Sequence, residues 1–541
     1  MKDLLTVLSL ANLCFFASWR SVLYTPFFGY HLESPPTGVN ALALILDVLI
    51  FTGLTLAALA FVRQRNNKYL TNAARLIFIF LAFFALNNLI KVTVGTISLR
   101  VMTSIFGQPV SIALLVAFIV LALYLLIKWP SHIARASRLL LLFASPVILL
   151  TIFQSANLAA TRGFFHSAEV APNLQGGDTS RKVGPRKNRI VWVIFDELDY
   201  RAAFPSRPPG LELPELDRLA QQSFFAENAF PPAGLTLRSL PAFLTGRLVA
   251  DAEQSSSDEL TLRFADSDQA VDWKAQPNIL KDLRASNEQT GLVGWYHPYC
   301  RLFGQSLDYC IEQTRTPEMW PDEQSPFLSE SMVNYFWQFV SSIPAIRDVL
   351  PKYKGSKTDR DRVNIASTKT LDEQAVKAAG DPRFSFVFIH LPATHEPYFY
   401  DRRTKDFNEL KRTSYFDSLV LIDDVFGAMR REMEKNGIWD SSFVIVSSDH
   451  WWRTWAWDKD GVWSESERAV ATADKDYRIP FIIKPIKNGT ESDDAHVMYG
   501  SVFNTVLTHD LILAMRGGEV VTSSDIASWL ERHPSVGQTG Y

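Results

Sequence analysis

Five long apolar stretches precede Gly163, running roughly Leu4–Tyr24, Val39–Val62, Leu76–Val92, Ser111–Ile127 and Leu139–Asn157. Most approach the ~20 residues that cover the hydrocarbon core of a bilayer. The third is the shortest, and its flanking Arg75 and Lys91 can snorkel to the headgroups. The pattern predicts a five-helix transmembrane domain over 1–162. A cleavable leader is the alternative for the first run alone, against which Arg20 interrupts the run, no clear small-residue cleavage site follows and four more runs come after. Loop charges orient the bundle. Arg63, Arg65, Lys68 and Arg75 lie between runs two and three, and Lys128, Arg135 and Arg138 between runs four and five. The gap from Gly29 to Gly38 has no Lys or Arg. Basic loops mark the cytoplasmic side. The N-terminus is therefore expected inside an inner-membrane protein, with everything after Thr161 on the periplasmic or extracellular side. Asp47, within run two, is costly in lipid. It is expected to face the bundle and bond a neighbour, with a functional role as the rival.

After the membrane half the pattern changes. Residues 163–188, rich in Gly, Pro and charge toward their end, read as a linker. Arg189–Phe195, Phe384–Ile389, Phe443–Ser447 and Pro480–Ile483 are short apolar runs with β-branched residues, typical of buried strands. Helical stretches such as Leu213–Gln222 and Ser418–Asn436 alternate with them. That alternation predicts an α/β domain over 189–515 with a largely parallel sheet covered by helices on both faces, and a tail over 516–541. Composition then narrows the class. The chain has 541 residues, 47% hydrophobic and 21% charged, with net charge −3, which excludes a disordered chain and gives no nucleic-acid footprint. Three cysteines are too few for a thiolate metal cluster. Cys300 and Cys310 lie in the outward domain and are expected to form a disulfide there. Cys14 lies in the first apolar run.

In open parallel sheets the chemistry sits just beyond the carboxyl ends of strands. Here the first strand ends in Asp196-Glu197, another in His390 with His395 five residues on, and a third in Ser448-Asp449-His450. Oxygen and imidazole donors without thiolate suit Zn²⁺ or Mn²⁺. Each pair alone is more often a helix cap or a solvated turn; coincidence at three strand ends makes a metal site an even proposition. Thr236 is the candidate nucleophile. Gly234 before it allows close backbone approach, and Ser239 with Pro241 suggests a helix start whose free amides would favour a phosphate. A threonine hydroxyl is a weak nucleophile until a metal or base activates it.

These residues carry a resemblance. Thr236 to Arg247 resembles the nucleophile signature of the sulfatase and alkaline-phosphatase superfamily, with Thr236 where formylglycine sulfatases have cysteine, and with Ser239 and Leu244-Thr245-Gly246-Arg247 in place. The form Thr236, Ser239, Leu240, Pro241 is closer to phosphoethanolamine transferases and lipoteichoic acid synthases, which are also five-helix membrane anchors bearing an external catalytic domain. Asp196-Glu197, His390 to Pro397, the helix around Tyr415–Asp424, Ser448-Asp449-His450 and Tyr477–Ile483 fall in matching order over about 188–515. The resemblance implies a divalent ion held by Asp196, Glu197, Thr236, Asp449 and His450. Which of Asp196 and Glu197 ligates stays open. A second ion near His390 and His395 is less expected, because few acids flank them. Substrate contacts are expected from His390, His395, His297, Arg238 and Arg453. His297 stands in a Gly294-Trp-Tyr-His segment similar to the sulfatase G-K-W-H. Two features depart from the family. Trp451, Trp452, Trp455, Trp457 and Trp463 replace the usual glycine-led loop, either as a stacking wall or lip or as a packed cluster. Thr236 cannot become formylglycine, so sulfate-ester hydrolysis by that route is not expected. The resemblance implies instead transfer of a phosphoethanolamine or phosphoglycerol group from a membrane phospholipid to an envelope lipid or glycan through a phospho-threonine. A sulfatase-like hydrolase and a catalytically dead binding or regulatory domain are the alternatives.

Overall fold

The structure, a computed structural model, describes residues 2–23, 30–32, 35–93, 110, 117, 120, 124–164, 188–314, 325, 327–343, 357–409, 411–454, 463–473, 476–487 and 496–534. Chain contacts divide it into a helical unit and an α/β unit.

The helical unit holds Gly38–Arg65, Lys68–Thr93, Pro130–Phe143 and Pro146–Arg162. Among the described residues three helices are long and apolar enough to cross a membrane, Gly38–Arg65, Lys68–Lys91 and Pro130–Arg162, the last broken near Ala144–Ser145. The first run is two helices, Lys2–Cys14 and Phe16–Leu23, bent by 62°, and counting that pair as one span makes four. Most of run four, Ser111–Ile127, lies outside the described residues, so five helices are not counted here. Asp47 is buried in the bundle, as expected, but its Oδ2 has no hydrogen-bond partner among the described residues.

The sequence boundaries need three corrections. Leu328–Ser342, placed in the catalytic domain by order along the chain, belongs to the helical unit. Its Tyr335 and Phe339 are buried, and Phe339 packs against Phe15, Phe51 and Phe84. Conversely Tyr30–Leu32, between runs one and two, belongs to the α/β unit. The expected tail at 516–541 is also not a tail throughout. Ser523–Arg532 is a helix with a Thr522–Asp525 capping box, and its Ile526, Trp529 and Leu530 enter the core.

The α/β unit is built on one eight-stranded sheet. Across it the order is Val497–Tyr499, Phe224–Ala226, Phe481–Lys484, Ser442–Ser447, Arg189–Phe195, Phe386–Leu391, Thr290–Trp295 and Tyr309–Gln313. Only Phe481–Lys484 runs antiparallel to its neighbours; the other pairings are parallel. Strand side chains alternate between faces. Ile190, Trp192 and Ile194 thus join one core with Leu240, Phe243 and Leu244 from Thr236–Thr245, while Val191, Val193 and Phe195 join another with Leu371, Ala375, Phe416 and Ile422. Both faces of the sheet are covered, which is why its strands read as unbroken apolar runs. Burying each such large side chain contributes about 1.5–3 kcal/mol.

Candidate active site

The three central strands Ser442–Ser447, Arg189–Phe195 and Phe386–Leu391 are parallel neighbours, with Ile194 level with Ser447 on one side and His390 on the other. Their carboxyl ends therefore discharge Asp449-His450, Asp196-Glu197 and His390 at one edge. Asp196, Glu197, Asp449, His450 and His390 are all fully buried. His450 Nε2 lies 3.6 Å from Asp196 Oδ1 and 3.4 Å from Asp449 Oδ2, and His390 Nε2 lies 4.0 Å from Asp196 Oδ2. Thr236 opens the helix Thr236–Thr245 and sets its hydroxyl 3.4 Å from Asp196 Oδ2 and 3.3 Å from His450 Nε2.

The backbone around these groups is held from outside. Tyr415 donates to the Glu197 carbonyl at 2.8 Å and accepts from Asp199 N at 3.0 Å. The Thr394 hydroxyl donates to the Asp196 carbonyl, and Ser448 Oγ accepts from Leu198 N at 2.9 Å. Glu197 takes a left-handed conformation, φ +60°, as the chain turns out of the sheet. Nδ1 of His450 meets the Trp451 carbonyl at 2.9 Å, and Nδ1 of His390 the Trp295 carbonyl at 3.0 Å. A carbonyl only accepts, so each Nδ1 carries the proton and each Nε2 presents a lone pair to the acids, the arrangement of a metal-ligating histidine.

Electrostatics point the same way. Burial, then the charges of Asp449 and Glu197, hold Asp196 well above the ordinary carboxylate range. Burial pushes Asp449 up to about 6. Burial and the nearby Arg453 charge hold His450 well below its usual value, and burial takes His390 down to about 3. Burial opposes the charge of Arg453, but Glu197 and Asp196 more than offset it. Arg453 Nε donates to Glu197 Oε1 at 2.7 Å. Three carboxylates face one guanidinium in a dry pocket, an arrangement that needs further positive charge. Asp449 Oδ2 and His390 Nε2 are buried without a hydrogen-bond partner. The donors form two overlapping groups, Asp196–Glu197–His450 and Asp196–His390–Asp449, each with one atom per residue within 4.8 Å of the others. Carboxylate and imidazole donors with orphaned, converging atoms fit a divalent cation such as Zn²⁺ or Mn²⁺.

Several residues stand elsewhere than expected. His390, read as a substrate contact, joins the metal-binding group, because the acids that face it come from other strands. His297, also read as a substrate contact, is fully buried, with Nε2 3.3 Å from the Thr236 carbonyl and Nδ1 2.8 Å from the Tyr30 hydroxyl. Both nitrogens are engaged, and it stands behind Thr236 rather than in front. Arg238 donates to the Ala250 carbonyl at 3.1 Å, away from the acids. His395 and Arg453 do meet at the site, 3.5 Å apart. Ser239 does not cap the helix: Thr236 starts it, Leu235 precedes it, and Ser239 Oγ donates to the Ala233 carbonyl at 2.9 Å. Gly234 is needed for a different reason than ligand approach, since a Cβ there would lie 2.5 Å from the Trp451 ring. The tryptophan loop is packed where it is described. Trp452 stacks on Tyr415 at 3.9 Å and meets Trp463 edge-on at 5.7 Å. Trp455 and Trp457 lie outside the described residues. Cys300 and Cys310 form a disulfide. Residues that bear on the site without any local motif are Tyr30 and Tyr299, whose hydroxyl lies 3.2 Å from His390 Nδ1. Beside His395 a cleft opens, walled by Trp295, Pro392, Tyr398, Tyr400 and Phe407.

Among solved structures, the chain is similar to the lipoteichoic acid synthase LtaP from Listeria monocytogenes (14% identity, 64% of this chain and 77% of that one, TM-score 0.37). It is similar to the PsFucS1 sulfatase from Pseudoalteromonas sp. (16%, 61% and 68%, 0.39) and to the phosphonate monoester hydrolase of Agrobacterium radiobacter (13%, 61% and 74%, 0.36). The sulfatase family model matches residues 188–509, more than half of the chain and the span that carries every strand of the sheet. The chain belongs to the sulfatase family.

Proposed function

We propose that this protein is a metal-dependent, membrane-anchored transferase acting on phospholipid headgroups outside the cytoplasm. It moves a phosphoethanolamine or phosphoglycerol group to an envelope lipid or glycan through a covalent phospho-Thr236. One observation carries the reading: the residue at the nucleophile position, within 3.4 Å of Asp196 and His450, is a threonine. Threonine offers a hydroxyl and cannot be oxidised to the aldehyde that formylglycine chemistry uses. A divalent cation, when bound, would supply charge neutralisation and acidify a hydroxyl beside it. Asp196, Glu197, Asp449, His450 and His390 would hold it. Thr236 Oγ1 attacks phosphorus, the bond from phosphorus to the diacylglycerol oxygen breaks, and the proton lost by Thr236 balances the one taken up by the departing diacylglycerol. An acceptor hydroxyl then attacks the same phosphorus, and Thr236 recovers its proton. Arg453 and His395, 3.5 Å apart at the site, would neutralise the charge that the non-bridging oxygens gain. The cleft beside His395 accommodates the organic part of donor or acceptor.

The envelope contains no ATP, so a donor lipid in the same membrane explains why the catalytic unit is tethered to apolar helices. A binding-only role would leave the buried acids without purpose. Reconstituted protein in vesicles of headgroup-labelled phosphatidylethanolamine or phosphatidylglycerol should release diacylglycerol, with Zn²⁺ or Mn²⁺ required. Release of free headgroup phosphate with every candidate acceptor present would make the enzyme a hydrolase. Turnover of sulfate esters but not phosphodiesters would overturn the proposal.

A further inference from the structure

Tyr30, His31 and Leu32 sit in sequence between the first two apolar runs, yet they are part of the α/β unit. Tyr30 and His31 are fully buried there. The segment is tied at several points. Arg301 donates to the carbonyls of Leu32 at 2.5 Å and Tyr30 at 2.7 Å, and Thr314 Oγ1 donates to the His31 carbonyl at 2.8 Å. His31 Nδ1 faces the carbonyls of Tyr296 at 3.0 Å and Thr314 at 3.1 Å, so Nε2 accepts from the Gln254 amide at 2.7 Å.

Those ties aim Tyr30. Its hydroxyl lies 2.8 Å from His297 Nδ1, and His297 Nε2 lies 3.3 Å from the carbonyl of Thr236. Because that carbonyl only accepts, the proton sits on Nε2, Nδ1 accepts, and Tyr30 donates. The rings of Trp273, Tyr296 and Tyr299, at 4.9, 5.0 and 5.6 Å, box His297 in and leave it no alternative orientation in view. Thr236 is the first residue of its helix, so its upstream side lacks the restraint of a preceding turn. The line from Tyr30 through His297 supplies a restraint from outside the helix.

We infer that Tyr30 is a positioning residue for Thr236, acting through His297, so that the segment Tyr30–Leu32 between the first two membrane runs is an integral part of the catalytic unit. This rests on Thr236 being the nucleophile. A displacement near 1 Å at a reacting atom costs up to ~10²-fold in rate, so the loss of one buried hydroxyl 30 residues into the chain should register at the chemistry.

The test uses the full-length, metal-loaded protein in detergent, with bis(p-nitrophenyl) phosphate as probe. Tyr30→Phe should lower kcat about tenfold with KM changed less than about twofold. It should also speed amide exchange across residues 233–245. His297→Ala should do the same, and the double variant should lose no more than the worse single one, since both break one line. Losses that multiply, a change confined to KM, or unaltered exchange at 233–245 would overturn the inference. If Tyr30→Phe does not accumulate folded, Gln254→Leu loosens the segment at His31 instead and should shift kcat and exchange in the same direction; no shift counts against the inference. Equal turnover by wild type and Thr236→Ala would sink the nucleophile reading, while the exchange measurement still decides whether Tyr30 holds residue 236.

Discussion

The central strands bury charge at both ends, and the two ends treat it in opposite ways. At the amino edge, Arg189 donates to the carbonyls of Phe384, Ala379 and Asp381 at 2.9, 2.8 and 3.1 Å. Beside it Arg516 donates to Glu288 at 3.0 Å and to the Asn188 carbonyl at 3.0 Å, and Ser385 donates to Glu288 at 3.0 Å. Each arginine has a carboxylate beside it, Asp381 for Arg189 and Glu288 for Arg516, and carbonyl oxygens accept from further N–H groups. At the carboxyl edge Asp196, Glu197 and Asp449 crowd together with one arginine, and Asp449 Oδ2 and His390 Nε2 have no hydrogen-bond partner among the described residues. A buried group whose demands are met belongs to the fold; one whose demands are left open is kept for something that binds. Burial alone does not separate the two clusters, but the balance of charge does.

The sharpest way to break that contrast is at the nucleophile. Thr236→Ala should lower turnover by about 10³-fold or more while leaving the thermal midpoint within a few degrees, because one hydroxyl next to a binding site adds little to stability. Steady-state kinetics and calorimetry on one preparation check both halves. The amino edge should answer in reverse. Glu288→Gln strips the partner from a buried arginine, and should cost about 3–5 kcal/mol in denaturant unfolding without changing the chemistry's metal requirement. Asp449→Asn should instead stabilise the metal-free protein or leave it unchanged, since it removes a like charge, while metal content measured by atomic absorption falls. If Asp449→Asn destabilises the metal-free protein as Glu288→Gln does, the two edges do not differ in kind.

Much of this was legible in the sequence. Parallel strands buried on both faces are runs of apolar residues, and polar residues at their ends stand out, so Asp196, Asp449, His450 and His390 could be found by reading off strand ends. Their grouping could not be fully read. His390 has few acids near it in sequence, and its partners arrive from two other strands. His297 looked like a ligand because its segment carries a motif, whereas only the spatial neighbours Tyr30 and Thr236 reveal that both its nitrogens are used. Tyr30 itself is a single tyrosine in a short polar gap, without periodicity to mark it. Leu328–Ser342 was assigned by order along the chain, which says nothing of which core its aromatic face enters. Gly234 is a position where the right residue was noticed for the wrong reason: the neighbour that excludes a side chain is Trp451, 217 places on in the chain and invisible from the local sequence.

Smaller effects sharpen the comparison further. Reducing the Cys300–Cys310 bond should cost roughly 2.8 kcal/mol on the loop-entropy model, and should leave metal content untouched because neither sulfur takes part in the site. Thiol titration alongside unfolding checks this. The smallest expected effect is a pH slope. Asp449 is pushed up to about 6, by burial first of all, and Asp196 is held higher than usual. The folded metal-free protein therefore keeps protons that the unfolded chain gives up near pH 4. Bound protons are more numerous in the folded state, so stability is full below the unfolded pKa and falls as pH rises through about 6. Melting curves of metal-free protein between pH 4 and 7 should show that decline, and Zn²⁺ or Mn²⁺ should flatten or reverse it. A decline unaffected by either ion would place its origin away from this edge.

The covalent step is the claim on which the account stands. Wild-type protein incubated with headgroup-labelled donor lipid and metal, in the absence of acceptor, should be quenched, digested and mapped by mass. The account predicts a phosphoryl-headgroup adduct on Thr236, formed with one equivalent of diacylglycerol and discharged when acceptor is added. An adduct on another residue such as Ser239, or full turnover by Thr236→Ala, would contradict it.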